Sequence, residues 1–212
     1  MPGVTISAGY GTGGSRIAQL VADELFLPLI DRAISAEVAA ELHITVEEAQ
    51  DASFSRSLTD RILGMLAPLA SGVLGAGTDA APAEAAAAPT DADLFRERVE
   101  QRLRGALSAG VVILGRAGSA AFRDEPDVLR VRLFGPKPRR IAHAVRAQGV
   151  DEATAQKRLA QVDAARAQYV RRLYGLDIDD PSLYHLQLDS TVLPEPECAQ
   201  LIASAYRALH PS

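Results

Sequence analysis

Short apolar runs alternate with amphipathic stretches along the chain. The run at 111–114 is apolar throughout and ends at Gly115, which is typical of a central parallel strand buried on both faces. The stretch at 15–26 instead repeats its apolar residues at helical spacing. Strands that alternate with helices predict an α/β protein with a parallel sheet. The predicted strands cover residues 4–7, 28–30, 111–114, 128–134 and 184–188.

The predicted helices lie between these strands, and two of them carry clear start signals. Thr45 and Glu48 can satisfy each other's free backbone amides as a capping box. Pro138 stands near the first turn of its helix, where proline is tolerated. The predicted helices cover residues 15–26, 32–42, a segment that begins at 45, 54–69, 93–108, 138–148, 151–174 and 196–209.

Residues 70–90 break this alternation. They include "GAGTDAAPAEAAAAP", and no large side chain follows Leu74 in the stretch. Such a segment cannot bury enough apolar surface to offset the entropy lost on ordering. We therefore expect a low-complexity loop or disordered insertion within a single domain that spans residues 1–212.

Composition and charge narrow the function classes. The chain has 212 residues, a net charge of −5 and a pI of about 5.4. This acidic balance argues against nucleic acid and against an anionic membrane surface as partners, since both require a basic face. No run approaches the roughly 18 apolar residues that span a bilayer, and no signal peptide is recognisable, so we expect a cytoplasmic protein. The four histidines and one cysteine lack metal-ligand spacing, which leaves any metal ligands unidentified.

A glycine loop (residues 9–14) follows the first predicted strand. In "GYGTGGSRIA", Gly9 and Gly14 have the spacing of the phosphate-binding pattern G-x-x-x-x-G-K-[ST]. Glycines let the backbone approach a phosphate closely, and the next helix adds a positive partial charge at its N-terminus. The alternative is a tight turn of an unrelated α/β fold. The candidate phosphate-binding residues are Gly9, Gly11, Thr12, Gly13, Gly14, Ser15 and Arg16.

The lysine of that pattern is missing. Ser15 stands in the lysine place and Arg16 in the hydroxyl place. In phosphoryl transfer the lysine draws charge from the β- and γ-phosphates, and the hydroxyl ligates magnesium. Arg16 either reaches round to the phosphates or forms a surface ion pair with Asp23 or another acid, because the helix turns it about 100° from the lysine direction. Ser15 and Thr12 are the candidate hydroxyl ligands of magnesium.

Cations concentrate in the second half of the chain. Arg116 follows the buried strand at 111–114, and ligands of open parallel sheets lie at the carboxyl ends of strands. Residues 151–175 form a basic helical segment in an acidic protein. A solvated helix face is the simpler interpretation. A lid that brings arginines over a phosphate chain is the functional one, because phosphoryl transfer depends mainly on positioning and charge neutralisation. The five cations between residues 157 and 175, where Asp163 is also found, are Lys157, Arg158, Arg166, Arg171 and Arg172.

Five stretches in chain order carry a family resemblance. They are "VTISAGYGTGGSRIA", "LPLIDRAI", "VVILGRAGSAAFRDEPDVLRVRLFGP", "VDAARAQYVRRLYG" and "DDPSLYHLQLDSTVL". Together they resemble the nucleoside monophosphate kinases, and most closely the cytidylate kinase-like family. The likeness covers nearly the whole chain apart from the insertion at 70–90, and its last stretch is similar to the family's closing strand.

The resemblance implies a P-loop kinase core with a five-stranded parallel sheet, a helical segment that binds the nucleoside monophosphate, and a lid at 151–175. It also implies ATP with Mg²⁺ as the phosphoryl donor and CMP or dCMP as the acceptor, and the base rests on the resemblance alone. The loop from Gly9 to Arg16 would hold the ATP phosphates. Asp163 and Arg166 would belong to the lid motif, with Arg166 and Arg171 over the transferring group. The acceptor side would be formed by Asp31, Arg32, Arg116 and Asp189.

Several of these residues have structural alternatives. Asp31 suits a helix cap, and Asp189 suits a turn. Asp163 suits an ion pair with Arg158 or Arg166 on the same helix. Oligomeric state is not predicted.

Two departures from the resembled family bear on activity. Ordinary cytidylate kinases have Lys-Ser where this chain has Ser15-Arg16, and they have Asp where it has Leu114. A lost charge-stabilising donor typically costs about 100- to 1000-fold in rate. We expect an unconventional nucleoside monophosphate kinase in which lid arginines and Arg16 replace the lysine. The alternatives are a non-catalytic nucleotide-binding module and a P-loop kinase for another small acceptor, such as a sugar or an antibiotic alcohol.

Overall fold

A sheet of parallel strands forms the centre of the fold. The structure is a computed structural model that describes residues 3–30, 91–115 and 117–211. The strands are β1 (Gly3–Ala8), β2 (Leu29–Ile30), β3 (Val111–Leu114), β4 (Val128–Phe134) and β5 (Leu186–Asp189). They pair in the order β2-β3-β1-β4-β5, all parallel. This order confirms the predicted five-stranded α/β architecture and places the end of β1 between the ends of β3 and β4.

Helices connect or follow the strands. The helices are α1 (Gly14–Leu25), α2 (Asp91–Leu107), α3 (Gly118–Ala121), α4 (Lys137–Gln148), α5 (Glu152–Tyr174) and α6 (Glu195–Leu209), and a 3-10 turn covers Pro181–Leu183. The predicted long basic helix is observed as α5. Asp151 is its N-cap, and Gly175 ends it in the left-handed conformation.

The two faces of the sheet bury separate apolar clusters. Successive side chains of a strand point to opposite faces, so Val4 and Ile6 of β1 share one face, which packs against Val21 of α1 and Ile202 of α6. On the other face Phe122 lies fully buried in a cluster with residues from α2, β3 and β4. Because both faces are covered, β3 is apolar at every position.

Each predicted strand or helix within the described residues begins and ends within two residues of its observed bounds. The apolar pattern does not predict α3, because four residues are too few to show a helical period. That helix is fixed by close packing, since a β-carbon on Gly118 would lie 3.0 Å from Thr5 Cγ2. The final strand is predicted to begin at Tyr184. It begins two residues later, because Tyr184 ends the 3-10 turn and its hydroxyl donates to Ile178 O at 2.7 Å.

Other predicted elements lie outside the described residues. These are the helices at 32–42, from 45 and at 54–69, and the insertion at 70–90. The arrangement of residues 1–212 as a single domain stays a prediction. Within the described ranges, no helix combines the length and apolar character that crossing a membrane requires.

Candidate functional site

The glycine loop joins β1 to α1 at the carboxyl edge of the sheet. Gly11 has φ +73° and Gly13 has φ +69°, a region that residues with side chains rarely occupy. Gly13 is the N-cap of α1 but has no side chain to satisfy the first amides, and the first turn contains no acidic residue. The first helical hydrogen bond runs from Ile17 N to Gly13 O. The loop therefore presents backbone N–H groups and a helix N-terminus, the two features that bind anions.

Thr12 closes the loop on itself. Its side chain is buried, and its hydroxyl donates to Gly9 O at 2.8 Å. Ser190, directly after β5, donates from its hydroxyl to Thr12 O at 2.8 Å. The Thr12 hydroxyl is thus used inside the loop. Ser15, at the start of α1, is exposed.

Tyr10 anchors the loop to the pair of helices α4 and α5. Its ring lies in an apolar cluster with Ala144 of α4 and Leu159 of α5. Its hydroxyl donates to Gln148 Oε1 at 2.8 Å, and its backbone amide donates to Asp163 Oδ1 at 2.9 Å. The loop and the two helices therefore form one packed unit.

The loop backbone also meets its neighbours directly. A β-carbon on Gly11 would overlap the carbonyl oxygen of Arg140 and lie 2.9 Å from its carbonyl carbon. A β-carbon on Gly13 would lie 2.6 Å from Glu195 Oε1, at the start of α6. Position 11 therefore requires glycine both for its backbone conformation and for the close approach of the α4 main chain, whereas position 13 requires it for conformation, since the Glu195 side chain can move.

A cavity of about 290 Å³ opens beside the first residue of the loop. Its walls come from the ends of β1 and β4, from α4 and α5, and from the segment after α5. Its charged lining residues are Arg132, Lys137, Arg140, Arg166, Asp163 and Asp179. Four cations against two carboxylates, in a protein of net charge −5, make this cavity suited to an anionic ligand.

Two guanidinium groups of the cavity, those of Arg140 and Arg166, form hydrogen bonds beside the glycine loop. Arg140 Nη2 donates to Asp163 Oδ2, and the Arg140 side chain is only 8% exposed. Arg166 Nη1 donates to Ala8 O, at the end of β1. Asp163 thus connects the guanidinium of α4 to the loop amide of Tyr10.

Arg132 forms the wall of the cavity on the sheet itself. Its Nη1 donates to Ser7 Oγ at 2.9 Å and its Nη2 to Asp179 Oδ1 at 2.5 Å. Its guanidinium carbon lies 5.8 Å from the centre of the Tyr184 ring, within cation–π range. Burial raises the pKa of Tyr184 above its usual value, so the phenol stays protonated and remains a hydrogen-bond donor.

The structure brings only some of the predicted site residues together. Gly9, Asp163 and Arg166 line the cavity. Arg16 is exposed on α1 and has no ion pair within the part of the chain that the structure describes. Its suggested partner Asp23 accepts a hydrogen bond from Gln19 Nε2 at 2.8 Å instead.

The other predicted residues either do not line the cavity or lie outside the described residues. Arg171 is exposed on α5 and is not among the lining residues. Asp189 ends β5 and accepts from Thr191 N at 3.0 Å and from Arg139 Nη2 at 2.9 Å, as the turn interpretation expects. The observed partner of Asp163 is Arg140 of α4, which neither alternative ion pair includes. The predicted acceptor residues Asp31, Arg32 and Arg116 lie outside the described residues.

Sequence reasoning missed Tyr10, Lys137 and Arg140. A signal for the two cations is present, because "GPKPRR" follows strand β4 at the same carboxyl edge that singles out Arg116. Tyr10 gives no such signal, since the phosphate-loop pattern allows any residue at its position.

The family comparison agrees with this geometry. The sequence model of the cytidylate kinase-like family matches residues 3–192. The chain belongs to the cytidylate kinase-like family. The matched span contains the glycine loop, α4, α5 and every lining residue of the cavity.

Two cytidylate kinases are similar to this family member in sequence. The one from Thermoplasma acidophilum is 23% identical over 115 residues, which cover 54% of this chain and 61% of that protein. The one from Methanopyrus kandleri is 30% identical over 116 residues, which cover 50% of this chain and 60% of that protein. The chain thus spans about three-fifths of the length of each relative.

Solved structures share the fold of this family member. An uncharacterized protein from Eubacterium ventriosum has a TM-score of 0.59 at 17% identity, with 98% of each chain covered. A gluconokinase from Sinorhizobium meliloti has a TM-score of 0.50 at 14% identity, with 98% of this chain and 93% of that chain covered. These likenesses concern the fold alone.

Proposed function

We propose that this member of the cytidylate kinase-like family is an ATP-dependent nucleoside monophosphate kinase that transfers the γ-phosphoryl group of ATP to CMP or dCMP. The observation that carries the proposal is a glycine loop with an uncapped helix N-terminus beside a cavity of four cationic side chains. A triphosphate chain is stabilised by both features. The cytosine base is supported by the family and by the two relatives, and no single residue of the site specifies it.

In this proposal the loop from Gly9 to Arg16 binds the phosphates of ATP. The loop amides donate to phosphate oxygens, and the N-terminus of α1 adds a positive partial charge. Ser15, an exposed residue at the start of α1, would offer its hydroxyl to Mg²⁺, whose remaining ligands would be phosphate oxygens and water. When bound, Mg²⁺ neutralises charge on the β- and γ-phosphates.

The reaction requires little covalent chemistry from the protein. A phosphate oxygen of the acceptor forms a bond to the γ-phosphorus while the bond from that phosphorus to the β,γ-bridging oxygen breaks, which releases ADP and a nucleoside diphosphate. The protein positions the two reactants and stabilises the negative charge of the transferring group.

In this proposal, Arg166 of the lid contributes to catalysis and Arg171 does not. Arg166 stabilises the transferring group, since it lines the cavity beside Ala8, whereas Arg171 does not line it. Asp163 positions the loop and α4 relative to one another. The acceptor phosphate and sugar are assigned to Asp31, Arg32, Arg116 and Asp189.

A non-catalytic nucleotide-binding module is the second candidate, and one observation favours it. The glycine loop has serine at position 15, where the phosphate-binding pattern has lysine. Loop amides and cavity cations do not depend on that lysine, so binding would persist without transfer. This candidate predicts saturable binding of ATP or CMP with no formation of ADP.

A coupled assay for ADP, with MgATP and each of CMP, dCMP, UMP and AMP, tests the proposal. We expect ADP to form only with an acceptor, and fastest with CMP or dCMP. Arg166→Ala should lower kcat by about 100-fold or more, because it removes a charge-stabilising donor. Arg172→Ala is the matched control, since it removes an exposed cation from the same helix and should change kcat by less than about two-fold. Equal rates in wild type and Arg166→Ala would contradict the assigned lid role.

A further inference from the structure

The site lacks a cation where the phosphate-loop pattern has one. The lysine of that pattern extends from the start of the helix and reaches the β- and γ-phosphates. Ser15 carries no charge, and the next residue, Arg16, is exposed and turned about 100° round α1 from the lysine position. If the loop holds a triphosphate, another element must bring a positive charge to it.

We infer that Arg140 of α4 supplies this charge and contacts the phosphate chain of the bound nucleotide in place of the missing lysine. The inference rests on the proposed function, because it assigns a contact within the same nucleotide site.

The position of Arg140 is the first observation that carries the inference. A β-carbon on Gly9 would overlap Arg140 Nη1 and lie 3.1 Å from Cζ, so the guanidinium lies against the first glycine of the loop. The main chain of Arg140 simultaneously packs on Gly11. Arg140 therefore contacts the loop with both its main chain and its side chain. It also lines the neighbouring cavity.

The state of its side chain is the second observation. Only 8% of the Arg140 side chain is exposed, and the buried Nε has no hydrogen-bond partner among the described residues. A guanidinium carries five N–H donors, and Nη2 donates to Asp163. A buried donor without a partner is costly, whereas a phosphate oxygen would satisfy it with a charge-assisted hydrogen bond.

The other cations of the cavity are less suited to this role. Arg132 already donates to Ser7 and Asp179 on the sheet. Arg166 donates to Ala8 O. Lys137 is exposed at the start of α4, where water competes for its charge. Arg140 combines burial, contact with Gly9 and a free donor, and Asp163 fixes it to the same loop through Tyr10 N.

A double-mutant cycle tests the replacement. The affinity of MgATP is measured by calorimetry for wild type, Arg140→Gln, Ser15→Lys and the double variant. We expect Arg140→Gln to weaken binding by about 10- to 100-fold, the range for a lost charged hydrogen bond. Because a lysine at position 15 would restore the missing charge, Ser15→Lys should improve affinity at least about 10-fold more in the Arg140→Gln background than in wild type.

Arg146→Gln is the matched control for removal of a cation from α4. Arg146 is exposed in the last turn of the helix and outside the cavity, so its substitution should change MgATP affinity by less than about two-fold. The inference is overturned if Arg140→Gln binds MgATP as tightly as Arg146→Gln does. It is also overturned if Ser15→Lys has the same effect in both backgrounds, because Arg140 would then act only through the fold.

A measurement on the wild-type protein covers the case in which Arg140→Gln fails to fold. The Nε–Hε resonance of Arg140, identified by its absence in Arg140→Lys, is followed by NMR during a titration with MgATP. A saturable shift supports contact with the phosphates, and a resonance that does not move at saturation overturns it. Absence of MgATP binding by wild type would overturn the proposed function as well. Normal binding and transfer with an inert Arg140 would overturn this inference alone.

Discussion

At Gly11 the glycine loop lies against the main chain of α4. Its φ of +73° and the carbonyl of Arg140 both exclude a side chain there. Gly149, which caps the end of α4, has a similar φ of +67°, but no neighbouring atom of the described residues lies within 4 Å of its β-carbon position. Comparing alanine substitutions at the two positions therefore distinguishes the cost of backbone conformation from the cost of steric overlap.

Gly11→Ala should disrupt the loop far more than Gly149→Ala. Both substitutions carry the cost of a left-handed conformation, about 1–2 kcal/mol. Only Gly11→Ala must also displace the main chain of α4, so we expect a lower Tm and a loss of MgATP affinity of at least about 10-fold. Thermal unfolding and calorimetry measure both effects. Equal MgATP affinity in the two variants would show that the Gly11 contact does not shape the site.

At the scale of elements, α5 is stabilised by a cap at its first turn and by apolar packing against the loop. Asp151 caps its first turn by accepting from the Thr154 hydroxyl at 2.7 Å and from the Thr154 amide at 2.8 Å. One face of the helix packs Leu159 against Tyr10 and α4. The cap and this apolar cluster together hold Asp163 and Arg166 at the cavity.

The cap gives α5 a specific pH dependence. The hydrogen bonds from the hydroxyl and amide of Thr154 lower the pKa of Asp151 below its usual value. Its stabilising effect is therefore complete above the unfolded pKa of aspartate, near pH 4, and is lost as the pH falls through the lower folded pKa. We expect wild type to have a higher Tm than Asp151→Asn above pH 5, with a difference that shrinks below about pH 4. A difference that stays constant down to pH 2 would contradict the assigned cap.

The elements were more predictable than their contacts. The apolar run at 111–114 specifies β3 to the residue, because a strand covered on both faces has few polar positions. The glycine spacing likewise indicates the loop. Arg140 was not predictable in this way, since the sequence of α4 does not reveal which of its cations packs against Gly9. That choice depends on how α4 and α5 meet the loop, which is a tertiary property.

At the scale of the whole molecule, several elements converge on one loop. Ser190 after β5, Glu195 of α6, Arg140 of α4 and Asp163 of α5 all lie against residues of the segment between β1 and α1. The protein is acidic overall, yet the cavity at this point is rich in cations. Such focusing of positive charge attracts a polyanion to one place on an otherwise repelling surface.

The central claim is that this loop supports phosphoryl transfer without its lysine. The most direct measurement is to follow the label of γ-³²P-ATP in the presence of Mg²⁺ and CMP and to separate the products. The account predicts labelled CDP, formed at a rate that rises and then saturates with CMP. Label that remains in ATP, or that leaves as inorganic phosphate at the same rate with and without CMP, would contradict it, and saturable ATP binding in the same sample would identify a nucleotide-binding module that does not transfer.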